Sequence, residues 1–359
     1  MKIICDLPEY QVKQMRRLIG NGHFSNIESF IQTSVDNQLS LELHESAIPK
    51  QGESNTETDW EYMMETRFRG KNNNHVSDQI FDELKLQPNN NCLTVEPPKF
   101  ERINVFKAKS EEYLWMWGQV NKILPIKFAI RCLLIKISAR ENLIELKEFK
   151  EETCRLARDF GFYILSKDKK YKKERGEKIS TAFPIGENPD KAFSRFASHF
   201  IGEQRRDLRI SGALANLKLV NMEGDYGKEY IGITEKGLEF SRIENPVIDH
   251  KKFKKSLSYE EINFYLEHIR NYVPGEAKAF RSILGFINTG INTREEINNE
   301  LAKTIDNDWS EKVTNTQRAG VTSRLFELGL LAKEKIGITV KYLITDEGKS
   351  FLNNSDQLI

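Results

Sequence analysis

Two stretches of this chain repeat each other at one fixed spacing, and that repeat limits the fold more than any other feature. Leu214-Ala215-Asn216-Leu217-Lys218-Leu219-Val220 matches Leu325-Phe326-Glu327-Leu328-Gly329-Leu330-Leu331. Ile233-Thr234-Glu235-Lys236-Gly237 matches Ile344-Thr345-Asp346-Glu347-Gly348, and Phe240 matches Phe351, all at an offset of 111 residues. One offset shared by the whole stretch implies an internal duplication, each copy a supersecondary unit with the same packing. In the second copy Val321, Leu325 and Leu328 stand at helical spacing, with Thr322, Ser323 and Arg324 opposite them. Gly329 permits a helix stop, because a residue without Cβ adopts the left-handed conformation at little cost. Leu330 to Ala332 and Ile338 to Ile344 then read as a hairpin whose tip carries Lys333, Lys335 and Gly337. Thr345-Asp346-Glu347-Gly348 opens a last short helix.

Helix, Leu-Gly-Leu-Leu, two-stranded wing, then Ile-Thr-Asp-Glu-Gly resembles the winged-helix family. It is similar in particular to the MarR-like and archaeal regulators, in which a closing LTxxG follows the wing. The resemblance implies a mainly α fold with short β-hairpin wings and two winged helix-turn-helix domains, residues 111–247 and 256–359. It also implies that the helix before each wing enters the major groove of double-stranded DNA, where Arg pairs with guanine and Asn with adenine. In the second copy Thr293 caps the first helix of the helix-turn-helix. Thr314, Asn315, Thr316, Gln317 and Arg318 precede the recognition helix, and Thr322, Ser323, Arg324, Lys333, Lys335 and Lys341 complete its DNA-contact candidates. In the first copy the recognition helix is expected from Gln204, with Arg205, Arg206, Arg209 and Asn216 as candidates. Its wing, Met222 to Tyr230, is acidic, so this copy reads equally as a protein-contact module.

Earlier helices are expected over Ile126–Ile137, Glu145–Phe160 and Asp190–Ile201. Phe128–Ile137 resembles Phe280–Ile287 at an offset near 152, so about 40 residues have been added to the first copy ahead of its recognition region. The added stretch holds Lys167, Lys169, Lys170, Lys172, Lys173 and Arg175, with Tyr171 among them. Such a run is either a phosphate-contact surface or a solvated loop.

Ahead of the repeats, residues 1–43 run strand, helix, Gly-turn and a helix that Ser25 and Glu28 box at its N-terminus. This resembles the ribbon-helix-helix family. The resemblance implies a β-α-α dimerisation unit with Ile3, Cys5, Leu7, Phe30 and Ile31 in the dimer core and Lys2 facing DNA. The unit serves for DNA reading or only for pairing two chains, or it is a helical hairpin packed on the rest of the chain. Residues 44–110 are rich in Gln, Asn, Ser and Thr and read as a flexible polar linker with one short helix, Asp78–Leu86.

Net charge is +1, so a nucleic-acid surface has to come from local patches rather than overall charge. Cys5, Cys92, Cys132 and Cys154 have no metal-ligand spacing, which leads us to expect a reduced, cytoplasmic protein. Ile123–Ile137, the longest apolar run, carries Lys127, Arg131 and Lys136, so no membrane span is expected. There is no P-loop, no GxGxxG after a strand, no HExxH and no metal-spaced Cys/His set. No catalytic residue, cofactor or metal is therefore expected, and the chain is not read as an enzyme. The leading expectation is a homodimeric transcriptional regulator binding double-stranded DNA. Replication initiation or plasmid partition, and a structural adaptor in a condensin-like or defence complex, are the alternatives.

Overall fold

The computed structural model describes residues 73–86, 95–97, 115–139, 143–174, 176–204, 210–225, 228–304, 309–336 and 339–353, together with Val12, Arg16, Ile19, Asn26 and Ile27. The chain divides after Lys71, and the following concerns the unit Asn72–Ile359. Lys2, the strand-helix reading of the N-terminus and the dimer-core candidates Ile3, Cys5, Leu7, Phe30 and Ile31 lie outside the described residues.

The described part is mainly helical, with small antiparallel sheets. Helix α1 is Asn73–Leu84 and α2 is Leu124–Ala139. After strand β1 (Ile144–Glu145) comes the long α3, Leu146–Lys170. Helix α4, Pro189–Phe196, continues through a π turn over Ala197–Ile201. Strands β2 (Glu203–Gln204) and β3 (Ile210–Ser211) then lead into α5, Ala213–Asn216. Strands β4 (Val220–Asp225) and β5 (Lys228–Ile233) precede α6, Glu235–Arg242. The second half runs α7 (Tyr259–Tyr272), α8 (Pro274–Asn288), α9 (Arg294–Thr304) and α10 (Glu311–Glu327). Strands β6 (Leu331–Ile336) and β7 (Thr339–Ile344) and helix α11 (Asp346–Asn353) follow.

The duplication is visible residue by residue. β4 pairs with β5 from Val220↔Ile233 to Asp225↔Lys228, and β6 with β7 from Leu331↔Ile344 to Ile336↔Thr339. Every pair, and the bounds of α6 and α11, differ by the offset read from the sequence. The closing motif has a physical reason in both copies. The Thr234 hydroxyl donates to the Lys218 carbonyl at 2.9 Å and accepts from the Gly237 N–H at 3.0 Å. Thr345 does the same with the Gly329 carbonyl and the Gly348 N–H, at 2.8 and 3.1 Å. Such an N-cap contributes about 1 kcal/mol. The glycine is required by close approach: a Cβ would stand 2.0 Å from the Leu219 carbonyl oxygen at Gly237 and 2.3 Å from that of Leu330 at Gly348.

The added residues of the first copy fall in three places: the longer α3, the loop to α4, and an excursion between Gly202 and Gly212. A Cβ on Gly212 would meet the Gly202 Cα at 2.3 Å, so the chain leaves the helical segment at one glycine and returns at the other. The helix expected from Gln204 is thus replaced. Its place is taken by α4 and the π turn before the excursion and the single turn α5 after it.

The core gathers around α2, which is buried on nearly all sides. Phe128 meets Phe160 and Phe183 at ring separations of 4.8 and 5.6 Å. Two cations of this apolar run are enclosed with partners. Arg131 binds Asp249 at 2.7 Å and the Ser241 carbonyl at 2.8 Å, and Lys127 lies 3.1 Å from Glu261.

The described part of 44–110 is not a tether. Ile80, Phe81 and Leu84 of α1 are buried, Phe81 lies 5.5 Å from Phe160, and the Leu84 carbonyl accepts from Arg131. Each such side chain contributes roughly 1.5–3 kcal/mol of burial, which ties the helix down. The expected boundary between repeats also dissolves into exchange. In α7 of the second copy, Phe264 stacks on Phe240 at 5.1 Å and the His268 Nε2 meets the Leu217 carbonyl at 2.6 Å. In return, residues 115–123 of the first copy lie on α10.

Candidate nucleic-acid interface

Helix α10 is the second copy's helix before the hairpin. It starts at Ser310, whose hydroxyl accepts from the Val313 N–H, about ten residues earlier than the sequence pattern places it. Thr314, Asn315, Thr316, Gln317 and Arg318 therefore lie within the helix rather than ahead of it. Their side chains mostly turn inward. Thr314, Gln317, Arg318 and Thr322 are buried, and Arg324 is fully enclosed. The Arg324 Nε and Nη2 donate to Glu276 at 2.7 and 2.9 Å, and its Nη1 donates to the Val120 carbonyl. Arg318 donates to Asn298 Oδ1 at 2.9 Å and to the Tyr342 hydroxyl at 3.4 Å, and Asn298 in turn donates to Asn315 at 2.6 Å.

The reason for this burial is a roof over α10. A Cβ on Gly118 would meet the Thr316 carbonyl oxygen at 2.1 Å, and one on Gly320 would meet the Gly118 carbonyl oxygen at 2.2 Å. Glu327 accepts from the N–H of Ile123 at 2.6 Å and of Leu124 at 3.4 Å, capping the start of α2. Trp115 packs edge-on against Trp309 at 5.4 Å. Arg324 and Thr322 are thus corrected from groove contacts to core residues, and Thr314, Gln317 and Arg318 from a free polar segment to buried ones. Thr316 donates to the Lys312 carbonyl at 2.8 Å and Ser323 is half-buried. The exposed residues of α10 are Glu311, Lys312 and Ala319. On the hairpin, Lys333 and Lys335 are exposed and Lys341 is half-buried opposite Glu334.

The first copy differs. Asn188 caps α4 by accepting from the Lys191 N–H at 3.0 Å, and Pro189 suits the first turn. Phe196, Phe200 and Ile201 turn inward, which leaves Lys191, Ser194 and Arg195 exposed, with Ser198 half-exposed one turn on. These positions share one helix face. The sequence pattern points to a reading helix after Gly202 and so passes over them; the Asn188-Pro189 start and the inward phenylalanines are the signal that finds them. Burial foremost, with Arg195 adding to it, holds His199 below the usual imidazole value, so it is neutral near pH 7. Of the candidates expected here, Asn216 is exposed at the end of α5, while Arg205, Arg206 and Arg209 lie outside the described residues.

The basic insertion is not a plain solvated loop. Lys167, Lys169 and Lys170 belong to the end of α3, with the Lys167 ammonium 4.5 Å from the Tyr163 ring. Lys169, Lys170, Tyr171 and Lys172 are exposed, Lys173 is half-buried, and Arg175 lies outside the described residues. Elsewhere, a shallow groove between Val95–Pro97 and α6 is lined by Glu96, Glu235 and Glu239, a poor match for a polyanion. Among the described residues no His/Cys/Asp/Glu group is placed to hold a metal ion, and no helix is long and apolar enough to cross a membrane. No family model, no curated protein and no solved structure matches this chain.

Proposed function

We propose that this chain is a tandem winged-helix protein that binds double-stranded DNA and acts as a transcriptional regulator. Its first copy does the reading and its second copy serves as the support. The observation that carries the proposal is the solvent face of α4, where Lys191, Ser194 and Arg195 stand exposed on the helix that precedes the hairpin. A helix offering Arg, Lys and hydroxyl donors along one face has the side chains that contact base edges and phosphates in a major groove. The paired strands β2 and β3 follow directly on that helical segment after Gly202. On this reading the N-terminal unit pairs two chains, and the operator is palindromic or repeated.

Fluorescence anisotropy of the full chain tests it, with a random duplex and with DNA from the protein's own upstream region, at 50 and 200 mM salt. Lys191→Ala with Arg195→Ala is expected to weaken binding to the preferred duplex by about 1–3 kcal/mol per base-reading side chain. No binding of either duplex by the unaltered protein at 50 mM salt overturns the proposal. One observation favours a second reading, a protein-docking adaptor: the helix before the second hairpin is already occupied by residues 115–123. An adaptor binds neither duplex and keeps its partner through the α4 substitutions.

A further inference from the structure

The charges that α4 does not account for gather where the two copies meet. Asp168, buried near the end of α3, accepts from the backbone N–H of Ile179 at 3.2 Å and of Ser180 at 2.8 Å. Its carboxylate also lies 3.7 Å from the Lys173 ammonium. These bonds fold the loop after α3 back on itself and hold Gly176 against the second copy. The Lys122 ammonium, on a side chain in a residue only 6% exposed, donates to the Gly176 carbonyl at 3.4 Å. A Cβ on Gly176 would stand 3.1 Å from the Lys333 ammonium. Two ammonium groups, one from each copy, therefore flank a single glycine that leaves them room.

Arg294, the first residue of α9, follows Thr293, which bridges to Lys341 on the strand paired with that of Lys333, and Arg318 of α10 donates to Tyr342, the residue opposite Lys333. Although the residue as a whole is exposed, the Lys333 ammonium lies 4.3 Å from the Phe326 ring, and desolvation there first, then the charges of Lys122 and Arg294, hold it below the usual lysine value. Burial foremost also lowers Lys173, with Asp168 and Glu177 opposing and Lys122 adding to the shift. Arg318 is lowered by burial and by Arg294, against Tyr342. Among the described residues no carboxylate pairs with Lys122, Arg294, Arg318 or Lys333, and only Lys173 has one. A row of like charges brought together by folding repels itself unless an anion sits among them.

We propose that the seam formed by Lys122, Lys173, Arg294 and Lys333 is a binding site for phosphate groups, carried by a nucleic-acid backbone or by a free polyphosphate. Ammonium donors on two sides of Gly176, with Arg294 at the start of the neighbouring α9, suit tetrahedral phosphate, which accepts in several directions at once. The nucleic-acid source rests on the DNA-binding reading above, and it places a duplex or its flank across both copies.

The test uses the full chain, unaltered and as the double variant Lys333→Gln/Arg294→Gln. Both positions are exposed, and equal melting temperatures establish that the variant is folded. Inorganic pyrophosphate is titrated calorimetrically, and duplex affinity is measured across 50–200 mM salt. The unaltered chain is expected to bind pyrophosphate, and the variant to bind it at least about tenfold more weakly. For a nucleic-acid source, the slope of log affinity against log salt becomes shallower by about two, since each phosphate no longer neutralised removes about one. If pyrophosphate binding falls and the slope stays, a free polyphosphate is the source. If the unaltered chain binds pyrophosphate but no duplex, the seam stands and the DNA-binding reading falls. No pyrophosphate uptake with an unchanged slope overturns the seam, even where the α4 substitutions abolish duplex binding.

Discussion

Arg324 separates a reading of this molecule from its sequence and one from its structure. On a helix before a wing it reads as a groove contact, and its removal then weakens DNA binding with little effect on folding. In the structure Arg324 and Glu276 are both fully enclosed and joined by two hydrogen bonds, with the Tyr265 hydroxyl 3.4 Å from the same carboxylate. Arg324→Ala removes the only cation facing Glu276 in these bonds and also the donor to the Val120 carbonyl, which holds the roof. Leaving a buried carboxylate without its partner costs about 3–5 kcal/mol. At about 2–4 °C per kcal/mol for domains of 150–250 residues, and no more for this larger unit, melting falls by at most roughly 6–20 °C. Replacing both partners, Arg324→Met with Glu276→Leu, recovers most of that loss, because an apolar pair of similar volume leaves no charge to compensate. Melting followed by circular dichroism, with duplex anisotropy at a temperature where each variant is folded, distinguishes the two accounts. A melting temperature within about 1 °C of the unaltered chain, together with weakened DNA binding, refutes the placement of Arg324 in the core.

Two other expectations concern packing and reactivity. Gly118→Ala sets a methyl 2.1 Å from the Thr316 carbonyl oxygen, backbone against backbone, so residues 115–123 must shift at a cost of about 1–3 kcal/mol; the fluorescence of Trp115 and the melting temperature both report it, and no change in either means that the roof does not pack on α10. Burial raises the Cys132 thiol far above its usual value and pushes that of Cys154 up to about 12. Iodoacetamide at pH 8 is therefore expected to leave both unmodified in the native protein and to label both in urea, by peptide mass spectrometry. Native labelling of Cys132 argues against its place in the core.

Legibility follows the range of the interactions. The hairpins are readable because their information is local: alternating apolar residues set the pairing, and Thr234 and Thr345 cap helices three residues from the glycines they bind. Helix α4 is readable from Asn188-Pro189 and its spaced phenylalanines. The fate of α10 is not, because its partners lie some two hundred residues away: Val120 for Arg324 and Ile123 for Glu327. Arginine is seldom fully buried, so an Arg on a polar helix face is read as facing solvent unless its partner is known. One local signal is present. Gly320 sits in a helix interior, where glycine costs about 1 kcal/mol against alanine, and that cost is recovered only where another backbone comes close. The same argument applies at Gly202 and Gly212, which let the first copy's helix open into an excursion while the second copy's helix stays whole and is covered. The two copies thus share one hairpin register and diverge at one element, the helix before it. Under the function proposed here, that divergence is a division of labour. The covered helix joins the copies into a single body, and the interrupted one keeps Lys191, Ser194 and Arg195 at the surface.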